Sequence, residues 1–302
     1  VLRYQQQFKA LGSEVAITLV GSQYEAYVTS IFNELHIKVD DFEKRFSRFI
    51  TSSELTFFNS SAGQKTRLSL QFIDLLKVAR DLSIKTEGIY NPFILPDLQR
   101  AGYMSSWNND YDPIDYSERK LFYPGDIEIY DDSAKIPTSS AIDFGGIGKG
   151  YLLDQLHNYL LNLELDGYWV SLGGDIICFG YDHHETDWQI LVQDANSPDK
   201  TVGKFSNNDG HFLAIATSGV TKRKGVHQGK AWHHIIDPRT GQPAKTDILT
   251  ATITADSAKV ADVYCKCIVI EGIEEAVKLK SKALIQSYLL QLGGDRATIL
   301  KS

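Results

Sequence analysis

From Ser13 to Val20 apolar and polar residues alternate, with Val15, Ile17 and Leu19 on one face, which is the period of a half-buried strand. The period then lengthens. Tyr27, Ile31, Leu35, Phe42, Phe46 and Phe49 recur at helical spacing, predicting an amphipathic helix over roughly 24–47 whose aromatic stripe reads as core. A second helix, over roughly 70–87, is expected to stop at Gly88. Residues 104–125, where Trp107, Asn108, Asn109 and Asp110 lie near prolines, read as an irregular excursion.

The second half changes character. A glycine-rich stretch, AIDFGGIGKGYLLDQL (Ala141 to Leu156), leads into a helix to about Leu163. Short strands are expected at Tyr168–Leu172, Trp188–Gln193, Phe212–Ala216 and Ile248–Thr254. Asp256 or Ser257 is the expected cap of a helix to about Ile270, with another near 273–282. YLLQLGGDRATIL closes the chain as two strand-like arms around Gly293-Gly294-Asp295, a hairpin. LGGD also occurs at Leu172 to Asp175, and turn chemistry explains both copies. Strands and helices in irregular order favour an α+β fold, mixed or antiparallel sheets with packed helices, over a doubly wound parallel sheet.

At 302 residues the chain can bury a large core, as one domain or two lobes. A net charge of −7 argues against nucleic acid as a partner, because phosphate backbones require a basic face. No apolar run is long enough for a transmembrane helix. VLRYQQQFKALG lacks the apolar core of a signal peptide; a cytoplasmic location stays open, as does a membrane-tethered extracytoplasmic one if a leader was removed. Of three cysteines, Cys265 and Cys267 fall on a helix, where i and i+2 point apart, so they form no metal clip.

The glycine stretch has the composition of a phosphate cradle, but its spacing is neither that of a P-loop nor that of the dinucleotide fingerprint. What survives is the backbone logic: small residues at a helix start expose N–H groups and the positive dipole end to an anion. A plain strand-to-helix turn is the alternative. Four islands gather glycine, carboxylate, lysine and histidine: DFGGIGKG (143–150), SLGGD (171–175), ATSG (216–219) with HHIIDPRTGQP (233–243), and ADVYCK (261–266). DPRTG is itself a turn, in which Asp237 can bond its own backbone and Pro238 presets φ.

These islands, in this order, with FKALGSEVAI and FSRFITSSELTFFN before them, resemble the FAD:protein FMN transferase family, the ApbE-type flavin transferases. The resemblance covers nearly the whole chain and implies one T-fold-like flavin transferase domain over 1–302 that binds FAD and Mg²⁺. It implies Mg²⁺-dependent transfer of FMN from FAD to a threonine hydroxyl of a flavin-accepting target protein, with release of AMP. By position, the implied catalytic residues are His234, the candidate base, and Lys149. The implied cofactor-binding positions are Leu11, Asn91, Asp143, Lys149, Ser218, Gly219, Ile236 and Asp237, with the glycine stretch facing the FAD diphosphate. The implied metal positions are the Gly146 carbonyl, the Asp262 carboxylate and Lys266, which stands where the family usually has threonine.

The chain departs from the family pattern at several places. Leu11 and Ser13 replace methionine and threonine, and Asn91 and Phe93 replace aspartate and threonine. Lys266 is the most consequential, because an ammonium has donors and no lone pair for a metal, and Asp262 four residues earlier is its natural helical ion-pair partner. Two other classes therefore stand beside a competent transferase: a catalytically impaired FAD-binding protein, and a pyrophosphatase that cleaves FAD to FMN and AMP.

Overall fold

The structure, a computed structural model, describes residues 1–103, 119–227, 229–293 and 298–301. Eight strands form one sheet: β1 (Leu2–Ala10), β2 (Ser13–Gly21), β3 (Gly167–Leu172), β4 (Asp175–Gly180), β5 (Leu213–Gly219), β6 (Ile248–Ala255), β7 (Ser287–Leu292) and β8 (Ile299–Lys301). Their order across the sheet is their order in the chain, and every neighbouring pair is antiparallel. The mixed α+β expectation is met by a meander whose connections carry the helices. The β1–β2 turn has two residues, Leu11 (φ 56°) and Gly12 (φ 61°), both left-handed, as a type I′ hairpin requires. The Leu172-Gly-Gly-Asp175 turn follows the same rule, with both glycines at positive φ.

Seven helices accompany the sheet among the described residues: α1 (Glu25–Phe46), α2 (Glu54–Ser60), α3 (Leu70–Lys85), α4 (Leu95–Ala101), α5 (Gly148–Leu160), α6 (Ala258–Glu271) and α7 (Ile273–Ser281). The aromatic stripe of α1 is core, as its period predicts: Phe42 and Phe46 pack their rings 4.5 Å apart, and Phe46 meets Phe72 of α3 and Phe144. Helices α5 and α6 pack against each other and against the sheet. A hairpin, Gln189–Gln193 with Thr201–Ser206, contributes Ile190, Val192 and Phe205 to a second cluster with Val20, Cys178 and Ile215 of the sheet. With both faces covered, β6 is buried at nearly every position, which suits its β-branched run ILTATITA.

Several expectations need amending. Strand β1 went unpredicted because its three glutamines mask the alternation; its pairing with β2 supplies the order. Neither Asp256 nor Ser257 caps α6 through its side chain. Asp154, on α5, does so instead, accepting from the N–H of Ala258 at 2.7 Å and of Lys259 at 3.3 Å. The closing arms pair as β7 and β8, while Gly294 and Asp295 lie outside the described residues. Most of the expected excursion, including Trp107 to Asp110, also lies outside them.

Candidate active site

A cleft of about 430 Å³ opens where the β1–β2 turn, the end of α1, the glycine stretch and the segment before Ile236 converge. Of the residues singled out in the sequence, Leu11, Asn91, Asp143, Gly146, Lys149, His234, Ile236 and Lys266 line it. Asp262 stands directly behind, bonded to Lys266. Three others are not among the lining residues. Ser218 is buried with its hydroxyl 2.9 Å from Cys265 Sγ, and Gly219 ends β5 beside Thr250. Asp237 turns its carboxylate to Arg239, accepting from that residue's backbone N–H and guanidinium at 2.9 Å, as the turn chemistry of DPRTG predicts.

The glycine stretch does what its composition allows. A Cβ at Gly146 would come within 2.9 Å of the Tyr90 ring, so only glycine lets the backbone lie there. Helix α5 starts at Gly148, and its dipole favours negative charge at that end. One of its unsatisfied donors is already taken, since the Gly150 N–H bonds Asp262 Oδ2 at 3.1 Å. Helices α5 and α6 therefore cap each other, Asp262 closing the first turn of α5 and Asp154 that of α6.

Lys149 is not a solvated surface lysine. Its ammonium pairs with Asp175, whose other oxygen accepts from Thr217 N–H at 3.1 Å. Burial pulls the pKa of Lys149 down to about 8, with Asp262 opposing that pull and Lys266 and Arg223 reinforcing it. His234 lies just past the strand end at His233, and its Nδ1 is 3.3 Å from the Arg223 carbonyl. A carbonyl only accepts, so Nδ1 carries the proton of the neutral ring and Nε2 keeps a lone pair. Burial, then the cations of Arg223 and Lys266, push this imidazole's pKa down to about 3, so it is neutral at physiological pH. Asn91 is committed to backbone: its amide donates to the Phe122 carbonyl at 2.9 Å and its oxygen accepts from Phe93 N–H at 3.0 Å.

The sequence reading missed four cleft residues. Arg48, 4% exposed, sits over the rings of Phe49 and Tyr103 and gives Nη2 to the Tyr103 carbonyl at 2.9 Å. Among the described residues its Nη1 is buried with no hydrogen-bond partner, as is the hydroxyl of Tyr90 across the cleft. Tyr103 stacks on Trp232 at 5.7 Å, and Arg223 completes the wall. Arg48 lies inside the matched segment FSRFITSSEL, where an arginine amid aromatic residues was a usable signal. Nothing local marks Tyr103 or Arg223.

Magnesium takes oxygen ligands at about 2.1 Å in near-octahedral array. The Asp262 carboxylate, 1% exposed, has Lys266 Nζ on Oδ1 and the Gly150 N–H on Oδ2, and the same ammonium donates to the Asp262 carbonyl at 3.0 Å. Burial, the largest influence, works against the Lys266 charge, but the Asp262 carboxylate together with Cys265 and Cys267 holds the pKa above the usual lysine value. A dication about 4 Å from that ammonium would meet roughly 8 kcal/mol of repulsion at an effective dielectric of about 20. With the side chains so arranged, the donor set does not fit magnesium.

The fold and the order of the islands agree with one family, whose model matches residues 11–289. The chain belongs to the ApbE family. Curated ApbE relatives include the FAD:protein FMN transferase of Klebsiella pneumoniae (strain 342), 22% identical over 301 aligned positions, 95% of this chain and 84% of that one. The FAD:protein FMN transferase of Haemophilus influenzae is 24% identical, over 95% of this chain and 83% of its own. Among solved ApbE structures, that of the ApbE protein of Thermotoga maritima matches with a TM-score of 0.85 at 23% identity, covering 99% of this chain and 97% of that one. Flavin transferase ApbE from Vibrio cholerae gives 0.82 at 22% identity, over 99% and 96%. This ApbE chain thus shares the fold of those proteins over nearly its whole length.

Proposed function

We propose that this chain is an FAD:protein FMN transferase, moving FMN from FAD to a threonine hydroxyl of an acceptor protein and releasing AMP. The whole of 1–302 is taken as the one transferase unit. In the reaction the threonine oxygen bonds to the phosphorus on the flavin side of the diphosphate, the bond from that phosphorus to the bridging oxygen breaks, and AMP leaves with that oxygen. The observation that carries the reading is the pairing, in one cleft, of a neutral imidazole at His234 with cations at Lys149, Lys266 and Arg223 near the α5 N-terminus. His234 Nε2, with its free lone pair, is the base for the threonine proton, since hydroxyls are weak nucleophiles at neutral pH. The negative diphosphate, once bound, offsets the Arg223 and Lys266 charges that add to burial in depressing its basicity. The cations and the helix start receive the charge that spreads over the phosphoryl oxygens. The resemblance brings magnesium as a cofactor, which the Asp262 donor set, occupied by Lys266 and the Gly150 N–H, does not fit.

The Lys266–Asp262 pair favours a second reading, in which FAD is held without transfer. One assay separates the two. With FAD and a threonine-bearing acceptor, transfer adds the FMN mass to the acceptor and releases AMP. FMN and AMP without modified acceptor indicate hydrolysis, and unchanged bound FAD indicates a binding protein; either result overturns the transferase reading.

A further inference from the structure

Lys266 is held at the cleft wall by a single residue of its own helix. Its ammonium is held by the Asp262 side chain and by the carbonyl of the same residue, one helical turn back on α6. Its stem packs beside Gly146, where a Cβ would lie 3.6 Å from Lys266 Cδ. An ammonium has three N–H donors, and among the described residues only two have acceptors. The side chain retains 17% exposure, and Lys266 lines the cleft. Of the four cations at its wall, Arg48 stands 3.9 Å from Asp143, Lys149 pairs with Asp175 and Lys266 with Asp262. Arg223 has no acidic partner among the described residues, so the wall offers charge for an anion rather than only balancing its own.

We propose that the Lys266 ammonium, anchored by Asp262, is the cation that meets the diphosphate of the substrate, so that this chain binds its anionic substrate without a divalent metal. The inference rests on the reading of the substrate as FAD. Asp262 serves as the anchor that orders a flexible side chain, and the third N–H faces the phosphate oxygens. A fixed monovalent cation offsets part of the diphosphate charge, with a neighbouring contribution from Lys149.

Calorimetric titration tests this on the full chain, with FAD and riboflavin, in metal-free buffer containing chelator and again with magnesium. FAD is expected to bind in chelator with an affinity that magnesium changes less than about threefold, given the charge already in place. Lys266→Met is expected to weaken FAD by roughly ten- to a hundredfold, the range of a charge-assisted hydrogen bond, and to leave riboflavin unchanged. Because that variant strands a buried carboxylate, Lys266→Met/Asp262→Asn, which removes both charges, is measured beside it with its circular dichroism melt. The double variant is expected to show the same selective loss of FAD. FAD binding that appears only with magnesium, or a folded double variant that binds FAD as the parent does, overturns the proposal. Failure of the parent to bind FAD in either buffer overturns instead the reading of the substrate.

Discussion

His234 owes its neutrality to its surroundings, and two measurements follow from that. As the base it acts on the transition state more than on ground-state binding, so His234→Ala should lower turnover by about 10²–10⁴-fold with FAD affinity nearly unchanged. His233→Ala is the control: its Nε2 is 3.2 Å from the Ala244 carbonyl and it does not line the cleft, so its turnover should stay within a few-fold. Steady-state kinetics with calorimetry on both variants decides between them. The same depressed pKa has a stability consequence. The unfolded imidazole titrates near 6.5 and the folded one near 3, so as pH falls through 6.5 only the unfolded chain takes up the proton. This contribution is therefore fully present above pH 6.5 and is lost as pH falls towards 3, at up to about 1.4 kcal/mol per pH unit. Urea unfolding at neutral pH and near pH 5 should show a shallower decline for His234→Gln than for the parent.

Helix starts in this fold are capped across the structure. Asp154 holds the Ala258 and Lys259 N–H groups and also the Lys259 ammonium, at 3.0 Å. Ser257, at the N-cap position with extended backbone, makes no side-chain cap bond. Asp154→Ala should therefore cost about 1–2 kcal/mol, the range of a lost cap, while Ser257→Ala should change stability by less than about 0.5 kcal/mol. The opposite ranking in chemical denaturation would restore the local cap that the sequence suggested. The exchange of caps also ties site to scaffold, because the Asp262 that anchors Lys266 is the residue that closes α5.

The cleft draws on residues from Leu11 to Ile270, so its geometry belongs to the whole molecule. One contact holds the two central helices in place: a Cβ at Gly150 would fall 2.4 Å from the Ala258 carbonyl oxygen and 2.6 Å from Lys259 Cα, both backbone atoms. Neither can move without separating α5 from α6. Gly150→Ala should thus destabilise by about 3 kcal/mol or more, and should weaken FAD binding with it. Ligand binding should act in the opposite direction. FAD at about a hundred times its dissociation constant adds roughly 2.7 kcal/mol to stability, visible as a raised Tm. Riboflavin at the same concentration, lacking the diphosphate, should raise Tm less.

Features set by neighbours in the chain were legible in the sequence. The period of Tyr27 to Phe46 gives α1 and its buried face, the paired glycines after Leu172 give a hairpin turn, and Asp237 bonds its own turn in DPRTG. Asp143, Gly146 and Lys149 from the glycine stretch and His234 from HHIIDPRTGQP line one cleft. The α+β class was legible for the same reason, since periodicity is local, whereas β1 was hidden because its half-exposed, glutamine-rich strand is specified mainly by pairing with β2. What only the tertiary structure decided are the partners of charges and the water around them. Lys149 meets Asp175, Asp262 divides itself between Gly150 and Lys266, Asp154 caps a distant helix, and Ser218 turns to Cys265 rather than to the cleft. Each depends on groups far apart in the chain being held within a few ångströms after the helices pack on the sheet. Hydrogen bonds and charge interactions fall off steeply with distance and strengthen with desolvation, so neither the low pKa of His234 nor the anchoring of Lys266 exists until burial has occurred.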